Sequence, residues 1–475
     1  MVNARSNTQF TEGKIFDKLL FFVLPIVATN LLQMFYNAAD MMVVSLSSES
    51  NAVGAIGTTT SFLHLVVNLF IGFSIGANVV VARGVGANDR AQVQKAVHTS
   101  LIMALLFGVL GGGIGFAVSQ AVLTGMGNTG NLLELAVTYS RVYFCGVPFL
   151  ALTNYLSAIF RAKGDAKTPL IALSIAGLIN VLLNLFFVLV LGMSVEGVAL
   201  ATMSANVLSF LILLWKLAKD KDFTTFSFKE LRVDKASFLE IVRIGLPAGI
   251  QGALFSISNM LIQSSIVSVN NAVVPVGTKY QPIVNGNAAS ANLEGFVYTA
   301  MNAVQQGAVT FTGQNMGAEK PERVKPILYN CFLLSLMIGI SMSAIVLLFK
   351  TPLLGLYGVK AGGEGSLERL AFEAANLRLW MICAPYFLCG LMDDCTGVLR
   401  GLGKSLLSTV IALIGSCLLR VVWIWTVFPL TPTLETVFVC YPITWTLTTA
   451  VSFAVILVLL KKQLNNKKTS TEAEA

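Results

Sequence analysis

An internal repeat constrains this chain more than any other feature of its sequence. Ala77 to Val97 reads ANVVVARGVGANDRAQVQKAV, and Ala308 to Lys325 reads AVTFTGQNMGAEKPERVK. Each is an apolar run that ends in a Gly-rich polar turn and restarts with basic residues. Phe160 to Asp165 reads FRAKGD, and Leu399 to Lys404 reads LRGLGK. Leu24-Pro25 is answered by Leu246-Pro247. The offset is 222 residues at the Pro pair, 231 at Gly86/Gly317 and 239 at Arg161/Arg400. Two copies with slightly different loops make the offset grow in this way. A two-fold repeat of apolar helices in one chain is an architecture that transporters use.

The repeated unit belongs in a membrane. Hydrophobic residues make up 55% of the chain and charged residues 12%, well below the charged share of soluble domains. Twelve stretches have spanning length: 19–46, 52–80, 97–119, 135–160, 170–191, 197–217, 245–268, 287–312, 327–349, 376–399, 405–427 and 436–460. The expected fold is an all-α integral membrane protein with twelve transmembrane helices in two parallel six-helix repeats. The expected layout is an N-terminus over 1–14, a first lobe over 15–217, a linker over 218–243, a second lobe over 244–460 and a disordered tail over 461–475.

Basic residues set the orientation. Loops on the side of the N-terminus carry 25 of the 32 Lys and Arg residues, among them Arg5, Arg83, Arg161, Lys221, Lys320, Arg400 and Lys461. The other side carries six: Arg141, Lys279, Lys350, Lys360, Arg369 and Arg378, of which Arg141 and Arg378 fall toward the outer ends of their spans; Arg420 is set apart from both groups as lying within a span. The bias puts both termini in the cytoplasm of a multi-pass protein of the cell inner membrane. It also explains the net charge of +8 without nucleic acid, because the charge is spread over many short loops. A six-span half returns the chain to its starting side, so the repeats are parallel.

Several chemistries are excluded. The first apolar segment is too long for a cleavable signal peptide. Seven Cys are scattered with no CxxC pair; Cys145 and Cys331 read as small core residues. His64 and His98 are too few to build a metal site. The glycine turns have no preceding strand and no Walker Lys-Ser/Thr ending, so they read as tight turns and helix caps rather than nucleotide loops. No cofactor is expected beyond a coupling ion, H+ or Na+.

The Gly-rich turns at Arg83–Arg90 and Gly313–Arg323, the RAKGDAKTP loop from Arg161 and the RGLGK loop from Arg400 resemble the multidrug and toxic compound extrusion (MATE) transporters, in a bacterial DinF-like branch. The resemblance runs from about residue 14 to 460. It implies a cation-coupled exporter of amphipathic, often cationic, compounds, with two six-helix lobes forming a V around a central cleft.

Candidate site residues follow from cost, since a charge in hydrocarbon is expensive and marks function by default. Asp40 sits about six residues, roughly 9 Å, before the outer end of span 1. Asn30, Gln33 and Asn37 share its face by spacing, and Tyr36 lies beside them. The polar stripe suits a cavity or a second helix; a carboxylate touching outer headgroups is the plainer alternative. The resemblance implies a span-1 Asp tied to proton coupling. Asn180 and Asn184, one turn apart on span 5, are its expected partners, with helix packing as the alternative. Many relatives have Asp at Asn184, so this departure weakens any two-carboxylate scheme in the first lobe.

In the second half, span 8 carries Asn292, Glu294, Asn302, Gln305 and Gln306. Glu294 and Arg420 fall at similar depth and are expected to pair, either to serve transport or to lock the lobe. Asp393 and Asp394 on span 10 point to different helix faces, and the resemblance implies an acidic group there that helps bind a coupling ion in some branches. The coupling set is therefore Asp40, Asn180, Asn184, Glu294, Asp393 and Asp394. The substrate-cleft set is Gln33, Tyr36, Asn37, Asn292 and Arg420. Pro25 and Pro247 are expected to break their helices and act as hinges.

The expected function is a secondary active exporter of drug-like cations, working as a monomer in the bilayer, and not an enzyme. A flippase for lipid-linked sugars would favour a strongly cationic cleft, whereas the intramembrane charge here is mostly acidic. A polytopic membrane enzyme would need clustered His, Asp or Cys at a membrane face, which the sequence lacks.

Overall fold

In hydrocarbon every backbone N–H and C=O must find a partner inside its own segment, so long apolar stretches become helices. The computed structural model of the chain describes residues 10–45, 47, 51–220, 226, 231–274, 280–363 and 365–474. Arg5, Lys221, Lys229 and Lys279 lie outside these residues, as do the side chains of His64 and Lys468. The first six spans are α1 (Ile15–Val44), α2 (Ala52–Gly86), α3 (Arg90–Gly125), α4 (Gly130–Ala162), α5 (Lys167–Leu185) and α6 (Val195–Lys219). Then come α7 (Lys235–Val273), α8 (Pro282–Gly317), α9 (Val324–Leu348) and the short α10 (Lys350–Leu356). The tenth span joins α11 (Leu367–Arg378) to α12 (Phe387–Gly401), and the eleventh joins α13 (Ser405–Ala412) to α14 (Leu419–Thr426). The last is α15 (Leu434–Glu474). Among the described residues there is no strand.

Ten of these helices are long and apolar enough to cross a membrane, and the bent α11–α12 pair makes an eleventh. The twelfth, α8, is 36 residues long but too polar to pass on composition. Three of its amides bond one another along the helix: Asn302 Nδ2 donates to Gln305 Oε1 at 2.9 Å, and Gln306 Nε2 donates to Asn302 Oδ1 at 3.0 Å.

The repeat is written in backbone hydrogen bonds. After α2, the N–H groups of Ala87, Asn88 and Asp89 donate to the carbonyls of Arg83, Val85 and Gly84. After α8, those of Ala318, Glu319 and Lys320 donate to Gln314, Met316 and Asn315. Each pair is 231 residues apart, the offset of Gly86 and Gly317. Both turns place a non-glycine residue in the left-handed region, Asn88 at φ 58° and Glu319 at φ 55°, as helix-ending caps require. The turns after α4 and α12 match likewise. Gly164 and Gly403 have φ of 96° and 72° and donate to the carbonyls of Arg161 and Arg400.

The chain forms two compact units. Unit 1 holds residues 1–14, 21–253 and 309–320, and unit 2 holds 15–20, 254–308 and 321–475. In unit 1, α4 is central and packs on α2, α3 and α6. Glycines let backbones meet: a Cβ on Gly72 would lie 2.2 Å from Gly249 N, and one on Gly86 would lie 1.9 Å from Gln314 O. The basic end of unit 1 is tied together by Arg83–Glu240 at 2.8 Å and by the Lys163–Asp220 pair. Phe10 stacks on Phe311 with centroids 3.9 Å apart, and its N–H donates to Gln314 Oε1 at 2.9 Å. In unit 2, α12 plays the part of α4 and packs on α9 and α15.

Four expectations need correction. Helix α7 starts at Lys235, so residues 235–243 of the expected linker are helical. Asp234 caps it by accepting from Ser237 N at 2.9 Å and Ser237 Oγ at 2.8 Å. Those bonds hold the Asp234 carboxyl below the usual carboxylate range. The tail is not disordered, since α15 runs on to Glu474. A helix already nucleated in the membrane adds one bond per residue, so it runs on through Lys461–Leu464 and past the weaker helix formers Asn465, Asn466, Thr469, Ser470 and Thr471. Pro25 and Pro247 lie inside unbroken helices, which membrane helices tolerate by local adjustment. The break occurs instead in the tenth span, bent by 43° around Pro385 after a π-helical turn at Leu379–Cys383. Finally, Cys145 is exposed whereas Cys331 is buried.

Candidate functional site

Unit 1 builds a carboxylate site at the seam of α1 and α5. Tyr36 and Asp40 are four residues apart on α1 and share a face. The Tyr36 ring fills the space over Gly177, where a Cβ would come within 1.9 Å of it. Its hydroxyl donates to Ser174 O at 3.3 Å. One turn further, Asp40 meets Asn180 and Asn184 of α5, which are nearly or wholly buried. Asn184 Nδ2 donates to Asp40 Oδ1. In the amide orientation that satisfies both its ends, Asn180 donates to Asp40 Oδ1 at 2.9 Å and accepts from Thr202 N at 3.2 Å. Thr202 Oγ1 on α6 donates to Asp40 Oδ2 at 3.5 Å. Tyr139 and Tyr143 of α4 lie within electrostatic reach of the carboxylate. Among the described residues, every hydrogen-bond partner of Asp40 is neutral. Asn184 Oδ1 is buried and accepts from no described group, so an unused oxygen faces the same seam.

The expected stripe on α1 divides. Asp40 and Tyr36 are half-buried against α5, while Gln33 and Asn37 are exposed. Spacing made Asp40, Asn180 and Asn184 plausible companions, and the structure joins them. Spacing alone does not reveal Thr202, Gly177 or the two tyrosines, which only the packing of α4, α5 and α6 brings to Asp40 and Tyr36. Gly177 left a trace in the sequence, three residues before Asn180 and seven before Asn184, the spacing of one helix face.

Unit 2 handles its charges differently, and one expected pair is wrong. Glu294 does not pair with Arg420. It takes Arg378 in a fork, with Nε to Oε1 at 2.9 Å and Nη2 to Oε2 at 2.8 Å. Loop position puts Arg378 among the outer charges, but it ends α11 and is 8% exposed. Its Nη1 donates to Asn287 Oδ1 at 2.6 Å, and Asn287 Nδ2 donates to Gln263 Oε1 at 3.0 Å. A buried ion pair holds only when such bonds satisfy the remaining donors. Equal depth suggested Arg420, but depth is one coordinate. Helix rotation and neighbours decide the partner. Asn287 and Glu294, seven residues apart on α8, were the available signal for one shared partner.

Arg420 lies over the Tyr441 ring, 4.3 Å from its centroid, and 5.8 Å from that of Trp445. Its Nε donates to Thr444 Oγ1 at 3.2 Å. Asp393 and Asp394 are both buried and face different helices, as adjacent positions must. Asp393 lies near Tyr298 of α8 and Arg400, while Asp394 lies against Cys331 and Ser335 of α9. Asn292 is exposed and donates to Ala288 O of its own helix at 3.0 Å.

Known proteins of the same kind are plainly identifiable. The MatE family model matches residues 25–186 and 247–426. The chain is 26% identical over 414 residues to the probable multidrug resistance protein YoeA of Bacillus subtilis, covering 85% of both chains. It is 24% identical over 409 residues to the probable multidrug resistance protein NorM of Thermotoga maritima, covering 84% of this chain and 83% of that one. Among solved structures, the outward-facing conformation of a multidrug resistance MATE family transporter of the MOP superfamily superposes with a TM-score of 0.86 at 19% identity. That match covers 98% of this chain and 100% of the other.

Proposed function

Because this chain belongs to the MatE family, we propose that it is a secondary active multidrug exporter that moves amphipathic, cationic compounds against inward proton or sodium flow. It is a multi-pass membrane transporter, not an enzyme. Relatives named as multidrug resistance proteins over most of the chain support the export reading.

The observation that carries the mechanism is a single carboxylate held by neutral donors. Asp40 is bound by Asn180, Asn184 and Thr202, none of which cancels its charge. A proton, a sodium ion or a cationic cargo can each do so, but they compete for one charge. Ion entry from outside neutralises Asp40 and weakens its hold on cationic cargo. Ion loss to the cytoplasm restores the charge and primes the site again. Exchange follows from that competition, with each ligand favouring the conformation that binds it better. Glu294 is a poor coupling group by the same logic, because Arg378 already neutralises it.

The test is dye efflux from proteoliposomes under an imposed proton or sodium gradient. Asp40→Asn, a neutral isostere, should abolish gradient-driven efflux in a protein that still inserts and unfolds at the wild-type temperature. Efflux at the wild-type rate would make Asp40 structural and pass the role to Asp393 or Asp394.

The concentration of basic residues in one set of loops supports cytoplasmic termini in the inner membrane. A cysteine at Lys360 should then react with an impermeant thiol reagent in intact cells, and one at Lys404 should not. The reverse pattern inverts the topology.

A further inference from the structure

The two units can be compared position by position through the repeat. In unit 1, span 5 supplies donors to a carboxylate on span 1. At the offset of 222 residues, Asp40 maps to Ile262, which is 2% exposed in the apolar core of unit 2. At the offset of 239, Asn180 maps to Leu419, one residue from Arg420. Unit 2 therefore has a donor near the span-5 position, here a full cation, and an apolar residue where unit 1 has its carboxylate.

What surrounds Arg420 does not replace that carboxylate. The residue is 3% exposed. Among the described residues its hydrogen-bond and ring contacts are Thr444 Oγ1 at Nε and the faces of Tyr441 and Trp445, and the thiols of Cys389, Cys417 and Cys440 lie within electrostatic reach. The acid of α8, Glu294, is engaged at both oxygens by Arg378. A guanidinium has five N–H donors in a planar fork, and one of its nitrogens is used. Ring faces offset part of the cost of the buried charge but take no in-plane hydrogen bonds. The unused edge of the fork matches two oxygens of one anionic group.

We propose that unit 2 binds an anionic oxygen group, a carboxylate or a phosphate, at the Arg420 guanidinium, beside the aromatic wall of Tyr386, Tyr441 and Trp445. That wall is continuous, with Tyr386–Trp445 and Tyr441–Trp445 centroids 5.1 Å and 5.6 Å apart. If the occupant is cargo, the inference rests on the exporter reading and extends it: accepted compounds include zwitterions with an aromatic body and an acid group. The phosphate of a bilayer lipid with net negative charge offers the same chemistry to the same fork.

Equilibrium binding tests this without any gradient. Tetramethylrhodamine carries a free carboxylate, and its methyl ester is a simple cation with the same ring system. Fluorescence anisotropy would follow both dyes on the full-length protein in phosphatidylcholine nanodiscs. Wild type should bind the acid more tightly than the ester. Arg420→Met should weaken the acid by about tenfold or more, the share of one charged hydrogen-bonded contact, and leave the ester within about twofold. Arg420→Lys, which keeps the charge but not the fork, should fall between. Should Arg420→Met fail to fold, the Lys variant and competition by inorganic phosphate against the acid dye carry the test. Equal loss of both dyes, or no preference for the acid in wild type, would overturn the proposal. Displacement of the acid by phosphatidylglycerol in the discs, in wild type only, supports the anion site and identifies lipid phosphate as its occupant; acid binding that phosphatidylglycerol leaves unchanged supports a soluble carboxylate. Absent gradient-driven export with the acid preference intact would sink the exporter reading and leave the anion site standing.

Discussion

Asp40 in unit 1 and Glu294 in unit 2 are both intramembrane carboxylates, yet they meet opposite surroundings. Asp40 is held by amides and a hydroxyl. Glu294 is held at both oxygens by a guanidinium that is itself bound by Asn287. The first arrangement leaves a net charge that an ion or cargo can neutralise. The second closes its own electrostatics and leaves little for a ligand to do. Being acidic and inside the membrane is therefore not enough for a coupling role. What matters is whether the protein has already supplied the counter-charge. Unit 2 adds the converse case in Arg420, a cation with Ile262 at the repeat position that Asp40 holds in unit 1.

The sharpest way to break this comparison is to unpair Glu294. Arg378→Met leaves a buried charge uncompensated and should cost about 3–5 kcal/mol of stability. Glu294→Gln together with Arg378→Met should recover most of that loss, read as the unfolding midpoint in detergent. A double variant as poor as the summed singles would dissolve the pair. The next effect concerns the seat of Asp40. Gly177→Ala places a methyl where the Tyr36 ring lies and should cost about 1–3 kcal/mol as overpacking, with slower dye efflux because Asp40 shares the displaced face. Unchanged efflux would show that Tyr36 does not position the carboxylate. The smallest stability change is expected for Asp40→Asn, within about 1 kcal/mol, because its partners include neutral groups that can reorient to either amide atom. A loss as large as that of Arg378→Met would mean the two carboxylates are alike after all.

The sequence by itself determined the helical class, the number of spans and the repeat. Apolar length, Gly-rich turns and loop charge are local properties, and the bilayer leaves one solution for the backbone between them. It also singled out Asp40, Asn180, Asn184, Glu294, Asp393, Asp394 and Arg420, because an intramembrane polar group is conspicuous by cost alone. Helical spacing even placed Asn180 and Asn184 on the face that reaches Asp40. Tertiary structure alone decided which charge meets which. Glu294 took Arg378, a residue that sequence position assigned to a loop, and Arg420 went to Tyr441, Trp445 and Thr444. Pro25 and Pro247 stayed inside continuous helices while the tenth span bent near Pro385. The physical reason is common to all three. Depth along a helix is readable from residue number, but the rotation of each helix and the identity of its neighbours are set by packing across distant parts of the chain, and those two coordinates choose every partner.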